Sequence, residues 1–249
     1  VNNPLSGKRI AVTRPVHQSD GMCRRLKARG AIIIEFPTVR IQPTPNPQPL
    51  KDALSRLESF DRVIFTSVNG VNYCWRYMNS PWPRSVKVAA IGPATAAALR
   101  SRDVIPNVVP SEYIAESLVS SLGSVNHEAI LLPRASRTRP ALAHLLQQGG
   151  ADVTCVTAYE THLNHPPNSA YADLTNGVDI VTFTSGSTVD GFLKVTSNLN
   201  VSVTAACIGP ITAQVAIDAG LDVPIVADTY TSEGLVTAIE NYFEHLEPA

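Results

Sequence analysis

Short runs of β-branched and other apolar residues alternate along the chain with longer amphipathic stretches. In the first half, runs near 9–13, 31–36, 62–66, 86–91 and 104–109 read as strands, with helices between them. This alternation predicts a parallel sheet covered by helices. In "AAIGPATAAALR" the local chemistry is explicit: Ile91 closes a strand, Gly92 permits a tight turn, and Pro93 takes the first helical position, where its missing N–H costs nothing. Ala94 to Leu99 are then good helix formers.

The same signals recur in the same order roughly 120 residues later. "AACIGPITAQVAI" answers "AAIGPATAAALR", "DIVTFTSGST" answers "DRVIFTSVNG", and "DTYTSEGLV" answers "SEYIAESLV". "EAILLPRAS" and "GGADVTCVTAY" likewise answer "KRIAVTRP" and "RGAIIIEFP". A period this long, present twice, means duplicated domains, since solenoid repeats are shorter and need several copies. Proline clusters fall at matching places, "PTPNPQP" at 43–49 and "HLNHPPNS" at 162–169, and mark connections. They fit a chain that crosses twice between domains; two sequential domains with long loops are the alternative.

Composition narrows the class. With 249 residues and 44% apolar content the chain can bury a full core, and 20 basic against 21 acidic residues leave a net charge of −1. Attraction to nucleic acid or to an anionic membrane is therefore not expected. Four cysteines without Cys-x-x-Cys spacing argue against a zinc site or disulfide framework and fit a reducing cytosol. No signal-peptide core and no membrane-spanning apolar run is visible, so a cytoplasmic location is expected.

Ligands of open parallel sheets gather beyond the carboxyl ends of the strands, where helix N-termini point their free N–H groups. Thr66, Ser67 and Asn69 follow one strand, Thr184, Ser185, Gly186 and Ser187 follow its counterpart, and Thr95 and Thr212 follow the turns at Gly92 and Gly209. Ser67 and Ser185 also suit plain helix N-caps. Two such edges facing each other would make a cleft rich in neutral donors, suited to carboxylates or phosphates. Arg14 in "VTRP" and Arg134, Arg137 and Arg139 in "PRASRTRP" follow equivalent strands and are the cationic candidates; a solvated basic loop explains the second cluster as well. Tyr159, at the end of an apolar strand before a proline-marked connection, could donate a proton from the cleft or simply pack under the linker. Nucleotide fingerprints, a nucleophile elbow and metal-spaced histidines are missing from the sequence.

In this order, VTRP, FTSVNGV, AAIGPATA, LLPRA, the run ending at Tyr159, FTSGSTV, ACIGPITA and YTSEGLV resemble the uroporphyrinogen-III synthase family over essentially the whole chain. The resemblance implies an α/β protein of two similar domains, each a parallel sheet flanked by helices, joined by a two-stranded connection. One domain would comprise 1–37 with 163–249 and the other 43–157, with linkers at 38–42 and 158–162. It further implies a monomer that needs no cofactor or metal and takes a linear tetrapyrrole, hydroxymethylbilane. That substrate loses its terminal hydroxyl as water, and the resulting azafulvene closes with inversion of ring D through a spiro intermediate.

Tyr159 matches the family's tyrosine at the linker, the candidate for assisting hydroxyl loss, and Thr212 matches its threonine after the second Gly-Pro. Ile211, threonine in some relatives, departs from the pattern and argues against a paired-hydroxyl role. The substrate-binding set is Arg14, Thr66, Ser67, Asn69, Gly92, Thr95, Arg134, Arg139, Thr184, Ser185, Gly186, Ser187, Gly209 and Thr212. A non-catalytic two-lobed ligand-binding or sensor protein is the alternative function.

Overall fold

The computed structural model describes residues 3–138 and 140–246. The order of elements is β1 (Arg9–Val12), α1 (Val16–Ala28), β2 (Ile32–Glu35), β3 (Val39–Pro43), α2 (Gln48–Ser55), β4 (Arg62–Phe65) and α3 (Val68–Trp75). It continues through β5 (Lys87–Ala90), α4 (Pro93–Arg100), α5 (Ala115–Leu122), β6 (Ala129–Ala135), α6 (Ala141–Gln148) and β7 (Asp152–Leu163). The last elements are α7 (Asn168–Thr175), β8 (Ile180–Phe183), α8 (Gly186–Val195), β9 (Thr204–Cys207), α9 (Pro210–Asp218), β10 (Asp222–Val226) and α10 (Ser232–Leu246). The chain forms two compact units, the first from the residues up to Arg40 and from His162 onward, the second from Ile41–Thr161.

In the first unit the sheet order is β10-β9-β8-β1-β2, and every neighbouring pair is parallel. The winding runs outward one way from β1 to β2 and the other way from β8 to β10, so the order reverses between β1 and β8. In the second unit the order is β3-β7-β6-β4-β5, parallel from β7 through β5, and the reversal falls between β6 and β4. The central strands β4 and β8 are buried along their whole length, as a parallel sheet covered on both faces requires. Met22, Leu26, Leu235 and Ile239 fill one face of the first sheet, and Phe36, Phe183 and Phe192 fill the other. Leu50, Phe65 and Leu99 and Ile64, Leu118 and Leu146 do the same for the second.

Two sequence expectations need correcting. The run 104–109 is not a strand: it contributes an isolated parallel bridge between Val108 and Ala89, because Pro106 and Pro110 remove the N–H groups a ladder needs. The proline clusters are not the crossings themselves. Both unit boundaries fall inside strands, β3 and β7, and the prolines follow them. Pro47 and Pro167 occupy the N-cap positions of α2 and α7.

Within the first unit, the chain is pinned where it leaves and where it returns. Thr38 donates from its backbone N to Thr13 O at 3.0 Å, and Asn164 donates from its backbone N to Thr38 O at 2.9 Å and from Nδ2 to Pro37 O at 2.7 Å. Thr38 Oγ1 donates to Thr188 O in the first turn of α8 at 3.1 Å. Gly191, further along α8, leaves room for this: a Cβ there would lie 2.8 Å from Thr38 O.

The amino ends of the strands are closed by ion pairs. Arg9 meets Asp173 at 3.3 Å and donates its backbone N–H to the Asp179 carboxylate at 2.6 Å. Arg62 binds Glu128 in bidentate fashion at 2.8 and 2.9 Å with its side chain only 5% exposed. Removing one partner strands a buried charge, so Glu128→Ala is expected to destabilise the protein by about 3–5 kcal/mol. The Arg62 hydrogen bonds hold the Glu128 carboxyl below its ordinary range. The pair's contribution is therefore present above the unfolded carboxylate pKa, about 4.3, and is lost as pH falls through the lower native value. Denaturant titrations at neutral and acid pH should show a larger acid loss in the wild type than in Glu128→Gln; equal losses would remove the pair from the account.

Candidate active site

In the second unit the reversal of winding separates the carboxyl ends of β6 and β4, and α3 starts just beyond β4. Ser67 is the N-cap of α3 and accepts the Gly70 N–H at 3.1 Å, the bond that an N-cap serine is favoured for. The same Oγ lies 3.0 Å from Tyr159 Oη. With one lone pair committed to Gly70, the serine can still accept the phenol's proton or donate its own. Tyr159 sits inside β7 with 8% exposure, enclosed by protein rather than at a strand's frayed end. Its ring stacks on Tyr73 of α3, with centroids 5.7 Å apart and planes at 20°. Burial pushes the phenol above its ordinary pKa, while hydrogen bonding to Ser67 and Asn69 pulls the other way. Tyr159 is thus neutral at physiological pH, with its ionised form selectively solvated by α3. Thr66 precedes Ser67 and Asn69 lies in the first turn of α3, both half-buried.

In the first unit the reversal separates the carboxyl ends of β1 and β8. Ser185 caps α8 in a reciprocal box: it accepts from Thr188 N, and Thr188 Oγ1 accepts from Ser185 N at 3.2 Å. Ser185 Oγ also meets Ser187 Oγ at 2.9 Å. Thr184 donates its backbone N–H to Thr188 Oγ1 at 3.3 Å, and Gly186 opens the helix. The two equivalent serines therefore differ. Ser185 is bonded within its own helix turn, whereas Ser67 reaches across to a phenol.

The arginines fall as a repeated pair. Arg14 follows β1 and Arg134 lies near the end of β6, both half-buried. Arg14 Nη1 donates to Ser232 Oγ at 3.1 Å, and burial lowers its pKa from the ordinary value. Neither has a carboxylate partner among the described residues, in contrast to Arg9 and Arg62 at the opposite ends of the strands. Arg137 is exposed, and Arg139 lies outside the described residues.

Both Gly-Pro turns are helix starts with Pro at the first helical positions. Gly92 needs its missing side chain, at φ 86°. Gly209 does not, since its φ of 176° is extended backbone. Its reason is space, because a Cβ would stand 3.1 Å from the Tyr230 ring. Tyr113 covers Gly92 in the same way, 3.6 Å from where a Cβ would be. Sequence reasoning misses both tyrosines, although both sit in the repeated segments "SEYIAESLV" and "DTYTSEGLV" at the same distance from their glycines. Thr95 and Thr212 are only 3% and 6% exposed, and the neighbouring Ile211 is 46% exposed. Among the described residues no three metal-ligating side chains converge, and no helix is long and apolar enough to cross a membrane.

Each of the two doubly wound α/β units presents hydroxyls, helix N-termini and, among the described residues, an arginine without a carboxylate partner at the carboxyl edge of its sheet, and one also carries a buried neutral phenol. A family model described as uroporphyrinogen-III synthase HemD matches residues 20–237. A uroporphyrinogen-III synthase of Synechococcus elongatus is 33% identical over 96% of this chain and 97% of its own length. The porphyrin biosynthesis protein HemD of Ruminiclostridium josui is 27% identical over 95% of this chain and 49% of its own. A crystal structure of a mutant uroporphyrinogen III synthase from Thermus thermophilus shares the fold, with a TM-score of 0.69, 19% identity, and coverage of 96% of this chain and 99% of that one. The chain belongs to the uroporphyrinogen-III synthase family, enzymes of tetrapyrrole biosynthesis.

The environment of Tyr159 is open to direct measurement. Difference titration of phenolate absorbance between wild type and Tyr159→Phe is expected to reveal one tyrosine ionising above the ordinary value of 10.0. Ser67→Ala should move that ionisation higher still, because it removes a hydrogen bond that favours the phenolate. A downward move would mean that Ser67 stabilises the neutral phenol instead.

Proposed function

We propose that the protein converts hydroxymethylbilane to uroporphyrinogen III, with Tyr159 as the proton donor to the departing hydroxyl. The observation that carries this reading is the 3.0 Å contact between Tyr159 Oη and the N-cap Ser67. When the bilane's terminal C–O bond breaks, the phenol's proton completes the leaving water and the pyrrole nitrogen's electron pair forms the azafulvenium cation, which keeps its N–H. The phenolate left behind is held by the Ser67 hydroxyl, which is itself oriented by Gly70 N–H at the positive end of α3. Attack by the ring D end, inversion through the spiro intermediate and closure then release a proton from carbon as aromaticity returns. That proton restores the phenol, so the net change is loss of one water.

The carboxylates of the substrate suit the open groups at the two switch points. Arg14 and Arg134 are proposed as charged partners, with Thr66, Asn69, Thr95, Thr184, Ser185, Gly186, Ser187 and Thr212, and the backbone at Gly92 and Gly209, as neutral ones. Arg139 belongs to the same proposal on sequence grounds. Holding a reactive bilane in one shape is the larger part of the task, since the uninverted closure needs no enzyme. We take the protein to act as a cytoplasmic monomer without nucleic-acid or membrane partners. Its net charge of −1 and its free cysteines, three of them buried, support a reducing compartment and a small-molecule substrate.

Incubation with hydroxymethylbilane, followed by oxidation and separation of the uroporphyrin isomers, tests the reaction: the type III isomer is expected, and type I alone would overturn it. Tyr159→Phe is expected to lower kcat by about 10²–10⁴-fold, the usual range of general acid catalysis. Arg14→Gln and Arg134→Gln should instead raise KM by about 10- to 100-fold, the equivalent of one charged hydrogen bond. Wild-type kinetics in either arginine variant would take that residue out of the binding set.

A further inference from the structure

The contact between Ser67 and Tyr159 fixes only one end of the phenol, and the ring behind it could still slide along the strand. Tyr73 closes that freedom. It belongs to α3, the helix that Ser67 caps, so one rigid element holds both the hydroxyl and the ring of Tyr159. Tyr73 is only 6% exposed, and the Arg76 guanidinium lies over its ring, 4.3 Å from the centroid. Among the described residues the Tyr73 hydroxyl makes no hydrogen bond, whereas its ring makes both contacts.

We propose that Tyr73 is a positioning residue for Tyr159: its ring, in contact with both Tyr159 and the Arg76 guanidinium, keeps the phenol oxygen on Ser67 before and after proton transfer. The proposal rests on the reading of Tyr159 as proton donor. The stack also has an electrostatic sense. The guanidinium over the Tyr73 ring places a positive charge beside the stacked pair. That charge favours the phenolate that forms as the hydroxyl leaves. Arg76 is exposed at the C-cap of α3, so its charge can be changed without opening the core.

Three variants separate the ring from the hydroxyl and from simple packing. Tyr73→Phe keeps the ring and is expected to retain the wild-type kcat and pH profile. Tyr73→Met fills the space without a stacking face and is expected to lower kcat by up to about 100-fold, the scale of a misplaced catalytic group, with KM unchanged. Arg76→Glu reverses the outer charge without touching the core and is expected to lower kcat and to raise the Tyr159 ionisation seen in the difference titration.

A folded Tyr73→Met protein with wild-type kcat would overturn the proposal, and so would a Tyr73→Phe loss as deep as that of Tyr73→Met, which would assign the chemistry to the second hydroxyl. If Tyr73→Met does not fold, an Arg76→Glu protein with unaltered kcat and an unaltered Tyr159 titration overturns it instead. Tyr159→Phe, measured alongside, keeps the two readings apart. Activity there at the wild-type level removes the donor and its positioner together, whereas loss there with none in Tyr73→Met removes only Tyr73.

Discussion

Each sheet reverses its winding once, and the chemistry of both units depends on that reversal. Where successive connections run outward in opposite directions, the helices that follow two neighbouring strands lie on opposite faces of the sheet, and their first turns are left apart at the carboxyl edge. Backbone N–H groups there have no intrahelical partner. In this chain the residues delivered to that gap are Arg14 and Ser185 in one unit and Arg134 and Ser67 in the other. The same parallel geometry leaves the amino edge with carbonyl-rich helix ends, and there the arginines are consumed by Asp173, Glu128 and backbone oxygens. In a protein of nearly zero net charge, Arg9 and Arg62 are thus paired at one edge of each sheet, while Arg14 and Arg134 have no carboxylate partner among the described residues at the other.

Duplication supplied two copies of that edge, and the copies differ in how the N-cap serine is bonded. Ser185 is satisfied within its own capping box by Thr188 and Ser187. Each serine accepts the backbone N–H three residues on, from Thr188 in one unit and Gly70 in the other, but the further partner of Ser185 is Ser187, and the equivalent position in the second unit is Asn69. Ser67 Oγ instead lies against the Tyr159 phenol. The two edges therefore differ in the partner of the N-cap hydroxyl.

Much of this was legible in the sequence, because parallel strands and the turns that follow them are written locally. Runs such as "RVIF" and "IVTF" are buried throughout and read as apolar, and the glycine and proline of each turn have direct backbone consequences. The strand misread at 104–109 shows the limit of that approach: its apolar residues have the right spacing, but two prolines deny it the hydrogen bonds. The proline clusters are offset from the unit boundaries for a related reason. Prolines mark where regular structure is interrupted, yet a strand can carry a chain between units without interruption, as β3 and β7 do. The side-chain relationships were not legible at all. Tyr159 and Ser67 stand far apart in the chain, and only the pairing of β6 with β7 and β4 brings them within a hydrogen bond. Tyr230 and Gly209 could have been paired from the repeat alone, since Tyr113 and Gly92 recur at the same spacing.

As the proton donor proposed above, a phenol whose pKa is raised by burial looks at first like the wrong acid, because a higher pKa means weaker proton donation. The leaving group resolves the difficulty. An alcohol that departs from a carbon already stabilised by a pyrrole nitrogen needs only partial protonation as its bond breaks, and a strong acid nearby would also protonate the electron-rich pyrroles and trigger uncontrolled closure. The weakly acidic phenol proposed as donor avoids this, provided that its conjugate base is stabilised only while the reaction needs it. Ser67, oriented by the first turn of α3, is placed for that role, and the helix contributes its dipole without adding a formal charge that would compete with Arg14 or Arg134 for the substrate.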